Sequence, residues 1–151
     1  MNEEKRLQAV MLFMRITVFA VMLVWTLDKV LRPDHAATVY AKFYFLGGIG
    51  TTVMYAIGVI ELVILAGFIA GIAKRFTYGA VLLFHAVSTL SSYEQYLQPF
   101  KGGNIMFYAA WPMLAACIAL YALRHRDTFL SFGEKLHRAA SPAETKSSQG
   151  T

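Results

Sequence analysis

Cysteine is almost missing from this chain of 151 residues: there is one, Cys117, and no C-x-x-C pair. A single thiol cannot close an intrachain disulfide, which excludes the paired-cysteine relay of membrane thiol oxidoreductases. Charge is scarce as well. Only 15% of residues are Asp, Glu, Lys or Arg, against about 25% in an average globular domain. Apolar residues take their place, at 57% of the chain with a mean hydropathy of +0.49. A soluble fold of this size has too little interior for so much apolar surface, so the expected class is an integral membrane protein. A signal-peptide core runs about 7–15 residues and ends in a small-residue cleavage site. The apolar run after MNEEKR is longer and has no such site, so an uncleaved first helix is expected. Histidines are few, and His85 alone lies within an apolar run, so neither a metal nor an intrinsic haem is expected.

What is present is organised as four apolar runs, each near the ~20 residues needed to cross a hydrocarbon core of ~30 Å. They cover residues 8–31, 52–73, 76–97 and 105–123. The expected fold is therefore all-α: an up-down-up-down four-helix membrane bundle over residues 1–126. Ala73-Lys74-Arg75 and Lys101-Gly102-Gly103-Asn104 are tight turns, so the helices they join are antiparallel neighbours. In the longer first connection, Pro33 ends one helix and Asp34 is placed to cap another. HAATVYAKFYF then has the aromatic composition of a segment lying at the membrane interface. Beyond the last run, residues 127–139 read as a basic amphipathic segment on the cytoplasmic surface. Residues 140–151 lack the apolar content to pack and read as disordered. Nine Lys and Arg fall on the side of the N-terminus, second loop and C-tail, and four on the other. By the positive-inside rule both termini are cytoplasmic. The net charge of +5 is accounted for by topology, and no nucleic-acid partner is expected.

Ionisable residues inside a span are costly, face the protein interior and have partners. Arg15, Glu61 and His85 qualify. At a rise of ~1.5 Å per residue the three fall at similar depths, given the length of an arginine side chain. Thr26 and Lys29 share the helical face of Arg15, and Tyr78, Ser88, Thr89, Ser92 and Tyr96 lie on the His85 side of the third run. Arg15 and Glu61 are thus expected to pair, with His85, Tyr78, Ser88 and Ser92 completing a polar stripe along the bundle axis. Asp28, Lys29 and Glu94 are polar candidates at the outer end. Two readings stay open at this point: a register-fixing ion pair, or a proton or ligand site. Gly67 and Gly71 form a G-x-x-x-G step that permits close helix approach. Pro112 is expected to kink the fourth helix.

Glu61-Leu62, Gly71 ten positions after the glutamate and Arg75 four further on resemble the E-L…G…R stretch of DoxX-like membrane proteins. Arg15 early in the first run, and Lys29 at its end before a proline-containing loop, fit the same pattern. The resemblance spans roughly residues 10–125. It departs from the family at Trp25-Thr26-Leu27-Asp28 and at Leu65, where the family often has glycine. It implies a multi-pass inner-membrane (plasma-membrane) protein acting as an accessory subunit, not independently catalytic, of a quinone-linked respiratory or redox-stress assembly. A quinone ring held by His85, Glu61 or Tyr78 is within what it implies. Membrane lipids and other redox subunits, or further copies of the chain, are the implied partners. A small proton-coupled carrier using Arg15, Glu61 and His85, and a membrane scaffold or assembly factor, are the alternatives.

Overall fold

The computed structural model describes residues 2–133; among these every regular element is helical. The first helix, α1 (Glu3–Leu31), opens on Asn2, whose side chain accepts from the Lys5 N–H at 3.1 Å. Glu3 and Glu4 in its first turn and Lys29 in its last complement the helix dipole. Its 29 residues reach about 43 Å at 1.5 Å per residue, more than a hydrocarbon core needs. It stops where Pro33 restricts the residue before it. Pro33 then opens α2 (Pro33–Phe43), the stretch expected at the interface. Asp34 is not its cap: the cap residue is Arg32, no side chain caps the helix, and Asp34 lies in the first turn beside the Pro at N1.

α3 (Thr51–Ala70) ends in a Schellman motif. The Ile72 N–H bonds to the Gly67 carbonyl at 2.9 Å and the Gly71 N–H to the Phe68 carbonyl at 3.1 Å, with Gly71 in the left-handed region at φ 65°. Ala73, also left-handed at φ 46°, completes the reversal into α4 (Lys74–Ser91). The run expected as a single helix over residues 76–97 breaks at Ser92. Thr89 and Ser92 hydroxyls bond back to the carbonyls of His85 and Ser88, and Ser91 does the same to Val87. Such i−4 back-bonding competes with helix continuation, and a short α5 (Tyr93–Leu97) follows. A 3-10 turn over Asn104–Ala109 leads into α6 (Ala110–Ala122). Pro112 stands three residues into α6, just past the change from 3-10 to α-helix.

α1 packs on α3, α3 on α4, α4 on α6 and α6 on α1, while α2 lies against α1 and α3. Met11, Val18, Met22, Leu65, Phe68, Tyr78, Val81, Cys117 and Leu120 fill the centre of this ring. Two glycines set the approach distances. A Cβ on Gly58 would meet Val30 Cγ2 at 2.7 Å, and one on Gly67 would meet Thr77 Cγ2 at 2.8 Å. Gly67 thus serves helix approach as its spacing suggested, whereas Gly71 is a helix cap. Among the described residues three helical stretches, Glu3–Leu31, Thr51–Ala70 and Asn104–Ala122, are long and apolar enough to cross a membrane. Large apolar side chains such as Phe13, Val24, Val63 and Leu83 point outward, as lipid contact requires.

The chain after α6 does not begin as a separate surface segment. Residues 127–131 turn back under the ring, with Asp127 and Ser131 buried. The remainder of the expected amphipathic segment beyond residue 133, and the tail over residues 140–151, lie outside the described residues.

Candidate functional site

The interior charges form two separate clusters. At the end where α1 begins, the Arg15 guanidinium is fully buried and so is the Asp127 carboxylate, 3.2 Å away. Tyr78 from α4 donates to the same Asp127 oxygen at 2.6 Å and accepts from Arg15 Nη1 at 3.2 Å. Arg15 Nη2 donates to the carbonyls of Phe129 and Leu130 at 2.9 and 3.3 Å. Leu130 is held at φ 50°, an uncommon conformation for a branched residue. Lys74 donates to the Asp127 carbonyl, and Ser131 to that of Gly71. A Cβ on Gly71 would come within 2.7 Å of Ser131 Oγ and 2.9 Å of Arg15 Nη1, so this position must be glycine. Arg15 ties α1 to α4 and to the returning chain, while Lys74 and Ser131 tie that chain to the α3–α4 turn. Arg15 Nε and Asp127 Oδ1 have no hydrogen-bond partner among the described residues.

The second cluster lies nearer the other end. Glu61, 8% exposed, accepts from Lys29 Nζ and Thr26 Oγ1, both at 3.0 Å. Tyr40 of α2 covers it, with Lys29 Nζ 5.8 Å from the Tyr40 ring centroid. Burial first, and the negative charge of Glu61 second, raise the Tyr40 hydroxyl above its ordinary pKa, so it stays a neutral donor.

The expected Arg15–Glu61 pair is therefore corrected. Arg15 and Thr26 are eleven positions apart on one helix, or about 16 Å along its axis, and the Glu61 carboxylate bonds to Thr26. That gap exceeds the reach of a guanidinium. Glu61 does take its base from α1, but the base is Lys29. His85 joins neither cluster: its Nε2 lies 3.0 Å from the Ala110 carbonyl and 3.4 Å from the Thr89 hydroxyl, which fixes the proton on Nε2. Ser88 is exposed and leaves the polar stripe, while Ser92 is buried against its own helix. Asp28 binds Arg32 Nε and His35 Nδ1, each at 2.7 Å, at the α1–α2 corner. Glu94 is exposed, with Tyr93 as its partner.

Asp127 was invisible in the sequence because it follows Arg124, His125 and Arg126 past the last apolar run, where a carboxylate reads as a solvated charge. The quinone implied by the resemblance finds no common site in these residues. The Tyr78 hydroxyl, the Glu61 carboxylate and the His85 Nε2 are each engaged inside the chain, at different places. Among the described residues no group of three His, Cys, Asp or Glu is placed to hold a metal. No family model, curated protein or solved structure matches this chain.

Proposed function

We propose that the protein is a non-catalytic accessory subunit of a DoxX-like, quinone-linked redox assembly in the inner (plasma) membrane. In this reading α1, α3, α4 and α6 all cross the bilayer, and both termini face the cytoplasm. The observation that carries the non-catalytic reading is that Arg15 and Glu61 each meet a counter-charge from within the chain. Arg15 is consumed by Asp127, Tyr78 and two carbonyls, and Glu61 by Lys29 and Thr26. These bonds lock helices together and leave no interior carboxylate facing open space. The redox assignment rests on the resemblance through Glu61-Leu62, Gly71 and Arg75.

Support for a fourth span comes from α4 itself. Its 18 residues reach about 27 Å, and its buried residues, Thr77, Tyr78, Val81, His85 and Thr89, turn the polar groups inward. The nine-to-four distribution of Lys and Arg supports the orientation. The carrier alternative loses its basis, since it needs Arg15, Glu61 and His85 in one site.

Gentle extraction from the native membrane, followed by mass spectrometry and a visible absorption spectrum, tests the reading. Co-purification with subunits of a membrane oxidoreductase is expected. Recovery as a lone species, with neither partner nor quinone, would overturn it.

A further inference from the structure

A cavity of about 640 Å³ opens at the end of the molecule where α1 begins, between the α3–α4 turn and the chain leaving α6. Lys74, Arg75, Arg124 and His125 line it together with Phe76 and Tyr121, and among the described residues no Asp or Glu lines it. A one-signed polar lining selects an anion. The Arg124 guanidinium is stacked over the Tyr121 ring at 4.6 Å and anchored by Nη1 to the Tyr121 carbonyl at 2.8 Å. Its Nε is buried without a hydrogen-bond partner among the described residues. Arg75 is exposed at the rim. Lys74 serves the Asp127 carbonyl, so the wall of the cavity is continuous with the Arg15 clasp.

The surroundings say which kind of anion. Phe76 in the lining is exposed, as are Ile72 and Leu123, the chain neighbours of lining residues. The cavity sits where α3 and α6 end, which is the level of lipid headgroups if those helices span a bilayer. A soluble phosphate compound would have no use for this apolar rim, whereas acyl chains would cover it. Basic pockets between helices near the membrane surface are suited to lipid headgroups.

We propose that this cavity binds the phosphodiester headgroup of an anionic phospholipid, with Arg75 and Arg124 supplying the charge and the exposed apolar rim holding the acyl chains. The inference needs the apolar helices to lie in a bilayer and is independent of the redox reading.

Native mass spectrometry of the full-length protein in mild detergent, titrated with phosphatidylglycerol or phosphatidylcholine, tests it. Phosphatidylglycerol is expected to be retained in preference. Each arginine is worth about fivefold in affinity, so R75Q/R124Q should weaken phosphatidylglycerol retention roughly 25-fold and leave phosphatidylcholine unchanged. Lys101→Gln, in the turn after α5 and away from the cavity, should change neither. If the double variant loses its helical circular dichroism, Arg75→Gln alone, at an exposed site, should still show the fivefold loss. Equal retention of both lipids, or an unchanged R75Q/R124Q, would overturn the proposal. So would displacement of the lipid by millimolar inorganic phosphate, which would assign the site to a soluble phosphate compound.

Discussion

Replacing Asp127 by alanine would leave the Arg15 guanidinium fully buried with no counter-charge. Removing one partner of a buried pair costs about 3–5 kcal/mol, and replacing both by apolar residues of similar volume costs far less. Asp127→Ala is therefore expected to lower the unfolding free energy in detergent by that amount, and R15M/D127L to recover most of it. Equal losses in both variants would show that the pair contributes little beyond packing. Glu61→Gln should be milder, at about 1.5–3 kcal/mol, because the amide oxygen still accepts from Thr26 and Lys29. Which residues lie inside was legible in the sequence, since an arginine, a glutamate and a histidine stood in apolar runs. Their pairing was not. It depends on where along the helix axes the residues sit, and the long connection before α3 sets that offset. A face argument at 100° per residue puts Arg15, Thr26 and Lys29 on one side without saying which of them Glu61 meets.

At the scale of elements, the segment after α6 is held by what it offers Arg15: one carboxylate and two carbonyls. Its exposed Phe129 and Leu130 do not hold it through apolar burial. A chain ending at Arg126 should consequently melt well below the full chain, because it removes the Arg15 clasp together with the Lys74 and Ser131 bonds. A truncated protein that melts with the full chain would show that the clasp is incidental. Gly71→Ala should damage the same junction from the other side. It adds a Cβ 2.7 Å from Ser131 Oγ and forces a left-handed alanine, which costs about 1–2 kcal/mol before any clash. The helical runs themselves were readable, and α1 and α3 begin and end within a few residues of the expected limits. The break at Ser92 was not read, because hydrophobicity counts Ser and Thr as mildly polar and ignores where their hydroxyls bond. The 3-10 turn before α6 was not read either, because it leaves no mark in the apolar pattern.

For the molecule as a whole, the open quantity is whether α4 crosses. Averaged over all its residues, α4 falls outside the stretches apolar enough to span. Lipid does not see that average. Thr77, Tyr78, His85 and Thr89 are buried against the other helices, while Phe76, Leu83, Val87 and Leu90 are exposed. Lys74 and Arg75 stand at its first turn, where long side chains reach the interface. The turn through Gly71 and Ala73 sends α4 back along α3, so if α3 crosses, α4 has the direction and the length to cross too. In a Cys117→Ala background, single cysteines at positions 75 and 101 report on its two ends. With a membrane-impermeant maleimide on intact cells, Lys101→Cys should label directly and Arg75→Cys only after lysis. The reverse pattern would invert the orientation and keep four spans. Labelling of both without lysis would place the two ends of α4 on one side, leaving it packed on the membrane surface and the bundle with an odd number of crossings.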